Sequence, residues 1–374
     1  MVAMLDRVLR RIKPTPSDMQ RLERVVAQLM SKVRRVARSR KVKTEPMLVG
    51  SAARGTWLRL ERELDIFLLF DPEVPRAELE RQGLAIAREV AGPSGREHYA
   101  EHPYVRMVFE GFQVDLVPCY RIDDPRKLKS AVDRTPHHQR YVQERLTPQL
   151  ADQVLLTKQF LRGIGVYGAE ARIQGFSGYL SELLVIHYGS FQQLVENAAR
   201  WKPGIVIDIE RVYPSEAEPR VLFERQPLVV VDPVDPKRNV AAAVSMRSFA
   251  IFVLACREFL KEPREQFFFP NPPPSLTQAS LLNQLKRRGT TLCCLWIRHD
   301  GLPEDVIYPQ LRKTERSISN EVVQAGFEIL RSDVWADSQN AAVLVELSIS
   351  KLPPVQIRPG PQIPVDATDF LREY

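Results

Sequence analysis

Apolar residues recur at helical spacing between Ser17 and Val42. Leu22, Val25, Val26, Leu29, Val33 and Val36 fall on one face, and Arg21, Arg24, Lys32, Arg35 and Arg38 on the other. This pattern predicts a basic amphipathic helix laid over a sheet, with its basic face in water. Short apolar runs follow at Met47–Val49, Asp65–Phe70, Tyr104–Phe109 and Phe112–Val117, and they predict strands. Arg76–Val90 reads as a helix between them, and Glu110-Gly111 as the tight turn joining the last two strands. A small sheet with flanking helices is an α+β arrangement.

From about residue 140 the period becomes helical. Helices are predicted at Leu150–Gly163, capped near Thr147-Pro148, at Gly175–Tyr188, at Ser190–Ala199 and at Ala241–Leu260, with a strand segment at Val221–Val231. The string Pro270 to Ser275 marks a linker or edge. Beyond it, strands at Thr291–Ile297 and Ala341–Leu347 surround a predicted Ser317–Leu330 helix, the outline of a second small α+β domain. A proline-rich run, LPPVQIRPGPQIPV, leads to the final segment. No internal repeat has a fixed period.

Composition narrows the class. In 374 residues, 44% hydrophobic and 26% charged, the chain has material for two or three folded domains and is not a disordered protein. A net charge of +7 is compatible with a nucleic-acid partner without naming one. The four cysteines, Cys119, Cys256, Cys293 and Cys294, form no Cys-x-x-Cys pair, which argues against structural zinc. Cys293 and Cys294, in an apolar run, are expected to be buried thiols in a reducing compartment. Neither a signal peptide nor a membrane-length apolar run is evident, so the expected location is the cytoplasm, with no membrane partner.

The candidate chemistry sits in LVGSAARGTWLRLERELDIFLLF. Side chains alternate along a strand, so Glu63 and Asp65 point one way and Leu64 the other. Two acids side by side repel unless cations lie between them, and a pair of Mg²⁺ ions roughly 3.5–4 Å apart would use both. Glu-x-Asp alone also describes an exposed strand start. The upstream Gly50-Ser51 and a third acid, Asp115 in FQVDLVPCY, shift the balance toward metal-dependent nucleotidyl transfer. Gly50 lets backbone approach a phosphate, Ser51 adds a hydroxyl, and Arg54 a planar cation. Taken alone, this turn favours an ordinary strand-to-helix turn capped by Ser. It is neither a Walker loop nor a Rossmann fingerprint.

The stretch GSAARGTW…ELDIFLLF resembles the head of the archaeal-type (class I) CCA-adding enzymes, the tRNA nucleotidyltransferases. The resemblance continues through HPYVRMVFEGFQVDLVPCY, AVDRTPHHQRYV, KQFLRGIGVYGAEARIQGFSGYLSELLVIHYGSF, DPVDPKRNVAAAVS and YPQLRKTERSI. Gly-Ser…Glu-x-Asp alone indicates only the polymerase-β-like superfamily; Gly-Val-Tyr-Gly-Ala-Glu and Gly-Phe-Ser-Gly-Tyr-Leu are far more specific.

The resemblance implies a polymerase-β-like nucleotidyltransferase head at 1–142, a mainly helical neck at 143–262, and an α+β, ferredoxin- or RRM-like body with a shortened tail at 263–374. It implies addition of C, C and A to the tRNA 3′ end from CTP and ATP, without a nucleic-acid template and with release of pyrophosphate. Two Mg²⁺ ions would be held by Glu63, Asp65 and Asp115, with Asp115 also helping to activate the RNA 3′-hydroxyl. Ser51, Arg54, Lys158 and Tyr167 would hold the triphosphate; the nine-residue Lys158–Tyr167 separation matches the family's. Without the resemblance, Lys158 would read as a solvated helix lysine. Thr135 and His138 would contact sugar or phosphate, with His137 in a position usually filled by an apolar ring. Asp235 and Arg238 would lie at the base edge. His187 is expected to be a satisfied core residue.

The tRNA acceptor and TΨC arms would lie along the middle and C-terminal domains. Lys286, Arg287, Arg288, Arg312, Lys313 and Arg316 are candidate backbone contacts, and a solvated face is the alternative. Oligomeric state is open, a homodimer included.

Two departures stand out. The family carries Gly-Asp before its carboxylate pair, where this chain has Arg59-Leu60-Glu61-Arg62. The chain also stops at Tyr374, soon after the family's Gly-Pro segment, so a longer tRNA-gripping tail is expected to be missing, with tight tRNA binding and the final A addition in question. Three rivals remain: a nucleotidyltransferase adding A or C tracts to other RNAs, an RNA-binding homologue with a decayed site, and a small-molecule nucleotidyltransferase.

Overall fold

The computed structural model describes residues 1–99, 103–354 and 367–373. Backbone packing divides the chain into two units, Met1–Pro272 and Pro273–Tyr374. The boundary falls inside the proline-rich string at 270–275.

The first unit opens with α1 (Val2–Ile12), which the sequence reading missed. Met4, Val8 and Ile12 bury its apolar stripe in the helical half of the unit, where α1 meets a later helix over Pro148–Gly163. The second helix, α2 (Pro16–Ser39), starts at a capping box. The Thr15 hydroxyl accepts from Asp18 N at 3.2 Å, and the Asp18 carboxylate accepts from Thr15 N at 2.8 Å. Such a cap contributes about 1 kcal/mol. Leu22, Val25, Leu29, Val33 and Val36 are buried against the sheet, as their spacing predicts.

The sheet is built from β1 (Glu45–Val49), β2 (Glu63–Phe70), β3 (Arg96–Tyr99), β4 (Pro103–Phe109) and β5 (Phe112–Tyr120). A one-turn helix, α3 (Gly50–Arg54), follows β1, and α4 (Arg76–Ala91) follows β2. Strand order is β1-β2-β5-β4-β3, with β2 and β5 parallel and every other pair antiparallel. Glu110 and Gly111, at φ of 52° and 79°, make the two-residue turn between β4 and β5. Positive φ at both positions matches the twist of a hairpin.

The helical half holds α5 (Thr135–Arg145), α6 (Pro148–Gly163), α7 (Gly178–Tyr188), α8 (Phe191–Ala198), α9 (Ala217–Leu222) and α10 (Met246–Lys261). Thr147 caps α6, its hydroxyl accepting from Leu150 N at 3.2 Å. Phe160, Phe191, Phe252, Phe259 and Phe268 form an aromatic core here. A two-stranded parallel ribbon joins β6 (Ile205–Ile207) to β7 (Leu228–Val230). The expected strand over 221–231 is thus mostly wrong. Val221 and Leu222 end α9 and are exposed, and only Leu228–Val230 has a strand partner.

In the second unit, α11 (Gln278–Arg288) precedes β8 (Thr291–Arg298), α12 (Glu304–Gln324), β9 (Ile329–Ala336) and β10 (Asn340–Leu347), with α13 (Thr368–Glu373) near the end. The sheet order β8-β10-β9 is fully antiparallel, a βαββ arrangement. The helix expected at Ser317–Leu330 begins earlier, runs through Pro309 and ends before Gly326, whose φ of 95° breaks it; Ile329 and Leu330 belong to β9. Cys293 and Cys294 are exposed, not buried, because α12 packs mainly on β9 and β10 and leaves β8 little covered. The proline-rich run and the Gly360-Pro361 segment lie, from residue 355 to 366, outside the described residues. No helix among the described residues is long and apolar enough to cross a membrane.

Candidate active site

The strand pattern that buries Leu64 in the core turns Glu63 and Asp65 to the opposite face of β2. The parallel register of β2 with β5 sets Asp65 directly beside Asp115. Gly50, the first residue of α3 directly after β1, closes the arrangement. Its φ is +79°, and a Cβ there would stand 2.5 Å from Asp65 Oδ2, so only glycine fits both the backbone and the space. Ser51 is not a cap, since α3 has no side-chain cap bond. It lines a cavity of about 580 Å³ with Glu61, Glu63, Arg162, Tyr167, Ser177 and Gly178.

Crowded acids resist ionisation. Burial, then the Asp115 and Glu63 charges, push Asp65 up to about 6. Burial, then Glu61 and Asp115, raise Glu63 as well. Arg106, the cross-strand partner of Asp115 on β4, grips that carboxylate with both nitrogens at 2.7 and 2.8 Å. This charge-assisted fork raises the Arg106 pKa further. Among the described residues no three His, Cys, Asp or Glu side chains converge as metal ligands, and Asp115 is the member turned to another partner.

The expected phosphate ligands are more buried than the sequence suggests. Arg54 Nε lies 3.0 Å from the Glu182 carboxylate, and its Nη1 donates to Gln139 Oε1 at 2.7 Å. Lys158 is not a solvated helix lysine; at 1% exposure its Nζ donates to the Thr56 carbonyl at 2.8 Å. Gly178 separates it from the cavity: a Cβ there would sit 3.3 Å from Tyr167 Oη and 3.4 Å from Lys158 Nζ. Burial holds the Tyr167 phenol well above its usual range. Glu61, from the departing Arg-Leu-Glu-Arg loop, accepts from Arg162 at 2.6 Å on the cavity wall.

A second polar group lies along α5 and the 232–239 turn. His138 Nε2 is 2.9 Å from Asp232 Oδ2, and its ring stacks on Tyr179 with centroids 4.1 Å apart. Arg238 Nη1 donates to the same Asp232 at 2.8 Å. Burial opposes ionisation of Asp232, but the His138 hydrogen bond and charge, with Arg238, bring its pKa below the usual carboxylate range. Asp235 is held by Arg134 at 2.9 Å. Thr135 opens α5 itself. His137, by contrast, is buried, its Nε2 lacks a hydrogen-bonding partner among the described residues, and burial lowers its pKa. His187 is exposed, not a core residue.

Glu63, Asp65, Asp115, Gly50, Ser51 and Tyr167 are therefore gathered at one face and cavity, with Arg54 and Lys158 behind them. Residues 286–288 and 312–316 belong to the second unit. Arg288 is spent on Glu346, at 3.2 Å. The sequence reading missed Glu182, Thr56, Arg106, Asp232, Arg134 and Tyr179. Only Glu182 carried a signal: it is the one acid in the otherwise apolar helix GYLSELLVIHY, and a charge there needs a partner.

Family models match three consecutive segments: a nucleotidyltransferase domain over residues 30–138, the second domain of tRNA nucleotidyltransferase over 152–269, and the C-terminal domain of the CCA-adding enzyme over 288–374. The CCA-adding enzyme of Methanosarcina acetivorans is 45% identical over 95% of this chain and 77% of its own length. That of Halobacterium salinarum is 41% identical, over 97% and 78%. Among solved structures, the Cid1 poly(U) polymerase superposes with a TM-score of 0.57 at 15% identity, over 71% of this chain and 96% of that one. A cytoplasmic RNA terminal U-transferase gives 0.56 at 15%, over 72% and 98%. At such identities these two speak to the fold alone, a polymerase-β-like nucleotidyltransferase head.

Proposed function

Because the chain belongs to the family of CCA-adding enzymes, we propose that its three-carboxylate face and glycine-serine turn carry out the transfers that build CCA on tRNA. The protein adds CCA to the tRNA 3′ end; its substrates are tRNA and nucleoside triphosphates, and a divalent metal is typical of such transferases. The observation that carries the site assignment is the register: Asp65 stands beside Asp115, with Glu63 on the same face of β2.

The donor set suits Mg²⁺. Carboxylate oxygens are the hard ligands this ion takes; burial and then the Asp115 and Glu63 charges lift Asp65 to about 6, and a divalent cation relieves that repulsion. Glu63, Asp65 and Asp115 would hold two ions, which supply Lewis acidity at the attacking hydroxyl and charge neutralisation on the triphosphate. Arg106 then has to share or release Asp115. The residues themselves do the rest. Ser51, Arg54, Lys158 and Tyr167 bind the triphosphate of CTP or ATP and orient its α-phosphorus for in-line attack. Asp115 takes up the proton of the RNA 3′-hydroxyl. His138, Thr135, Asp235 and Arg238 form the sugar and base side, with Asp232 and Arg134 fixing His138, Arg238 and Asp235 in place. The basic residues Lys286, Arg287, Arg312, Lys313 and Arg316 lie along the RNA backbone, while Arg288 is held by Glu346.

The test is tRNA ending at the discriminator base, incubated with Mg²⁺, CTP and ATP and resolved nucleotide by nucleotide. Wild type is expected to extend it in three steps. Asp65→Asn, near-isosteric, is expected to fold and extend nothing. Turnover by a folded Asp65→Asn protein would sink the carboxylate assignment, and extension by C alone would limit the reading to partial addition.

A further inference from the structure

Glu182 is 0% exposed within a helix whose neighbours Leu180, Leu183, Leu184 and Val185 are core residues. An ionised carboxylate in such a place costs several kcal/mol unless it is paired. Its partners converge from two other elements. Arg54 of α3 lies 3.0 Å away, and Lys158 Nζ of α6 lies 3.9 Å away. The Thr56 hydroxyl donates to it at 2.5 Å. Burial pulls against its ionisation, but Arg54, Lys158 and Thr56 together keep its pKa below the usual range.

The cluster holds two cations and one carboxylate in direct contact; the other acids these cations feel, Glu61 for Lys158 and Asp65 for Arg54, lie toward the cavity and the metal face. A purely structural ion pair needs no second cation. Lys158 Nζ packs directly behind the cavity wall: Gly178 lines the cavity with Ser51 and Glu63, and a Cβ on it would stand 3.4 Å from Lys158 Nζ.

We propose that Glu182 is a positioning residue: it keeps Lys158 protonated and Arg54 fixed, so that their combined charge is presented to the nucleotide's triphosphate. This rests on placing the triphosphate at Ser51, Arg54 and Lys158. Lys158 needs such a partner because burial lowers its pKa, and Arg54 and Arg162 lower it further, while Glu182 and then Glu61 raise it. The nearby Tyr167 phenol is itself held neutral by burial. With the carboxylate gone, Lys158 loses its proton at lower pH, and with it the charge that binds phosphate.

The test is kcat/KM for CTP and ATP against pH, together with separate KM values for nucleotide and tRNA. In Glu182→Gln the nucleotide KM is expected to rise about tenfold, at unchanged tRNA KM, and the alkaline limb to move about one unit lower. Glu182→Asp withdraws the charge by one methylene and is expected to move the limb the same way by less, which keeps the test decisive if Glu182→Gln does not fold. Thr56→Val keeps the carboxylate and is expected to leave the limb in place while lowering Tm. Limbs identical to wild type in every folded Glu182 variant overturn the proposal. Lys158→Met separates the two levels: an unchanged nucleotide KM there means that the triphosphate placement itself has failed.

Discussion

Gly50 carries the sharpest constraint on any single residue. Its φ of +79° costs an L-residue about 1–2 kcal/mol, and its missing Cβ leaves the room that Asp65 Oδ2 fills at 2.5 Å. Gly50→Ala is therefore expected to lower kcat about 100-fold by displacing the carboxylate, with tRNA KM unchanged. Gly55→Ala is the control, since Gly55 has φ of +68° with nothing within 4 Å of a Cβ. It is expected to lose stability but keep kcat, and equal kcat in the two variants would reduce Gly50 to a turn residue. The sequence exposes Gly50, Ser51, Glu63, Asp65 and Asp115 because each lies in a short local pattern. It hides Glu182 because that residue's meaning lies in Arg54, 128 residues away, and no local period encodes such a pairing. Lys158 shows the same limit: its helix is legible, but its complete burial is decided by Thr56 and Glu182.

At the scale of elements, the strands of the first sheet were readable because their apolar runs are bounded by turn residues. The β2–β5 register was not written in either run alone. The four-residue β3 is too short to give a periodic signal, and α12 was started at Ser317, although it begins at Glu304 and carries inside it Pro309, a residue that ordinarily breaks a helix. The β4–β5 pairing has a functional consequence. It sets Arg106 on Asp115, so the hairpin supplies its own cation to a face with three acids. Arg106→Met is expected to lower Tm without Mg²⁺ at pH 8, by about 2–4 °C for each kcal/mol lost, and Mg²⁺ is expected to restore most of it. The sign with pH follows from Asp65. A carboxylate held up at about 6 favours the folded state while protonated, and that advantage is lost as pH rises through about 6. On top of the lost Asp115 fork, the variant's deficit should therefore grow from pH 5 toward pH 8 as Asp65 ionises without the Arg106 charge nearby. A deficit of equal size with and without Mg²⁺, and flat with pH, would show that Arg106 merely packs.

For the whole molecule, the net charge of +7 matters through where its cations are free. The sequence treats Lys286, Arg287 and Arg288 as one cluster, but the fold splits it. Arg288 sits 3.2 Å from Glu346, which is 3% exposed and also takes Arg331 at 2.9 Å and the Thr290 hydroxyl at 2.6 Å. Lys286 and Arg287 end α11 on exposed positions. A cation that neutralises an RNA phosphate releases a counterion, so each such contact steepens the fall of affinity with salt by roughly 0.7–0.9 in log–log slope. Replacing Lys286 and Arg287 together by Ser is expected to weaken tRNA binding and flatten that slope by about 1.5, with Tm unchanged. Arg288→Ser is expected to do the opposite, lowering the stability of the second unit by leaving Glu346 short of a partner while changing the salt slope little. Binding titrations from low to moderate salt, read beside thermal melts of the same three proteins, decide it. A slope that drops for Arg288→Ser and not for the double variant would mean that the ion pair opens to meet the RNA and that the exposed pair is only a solvated face.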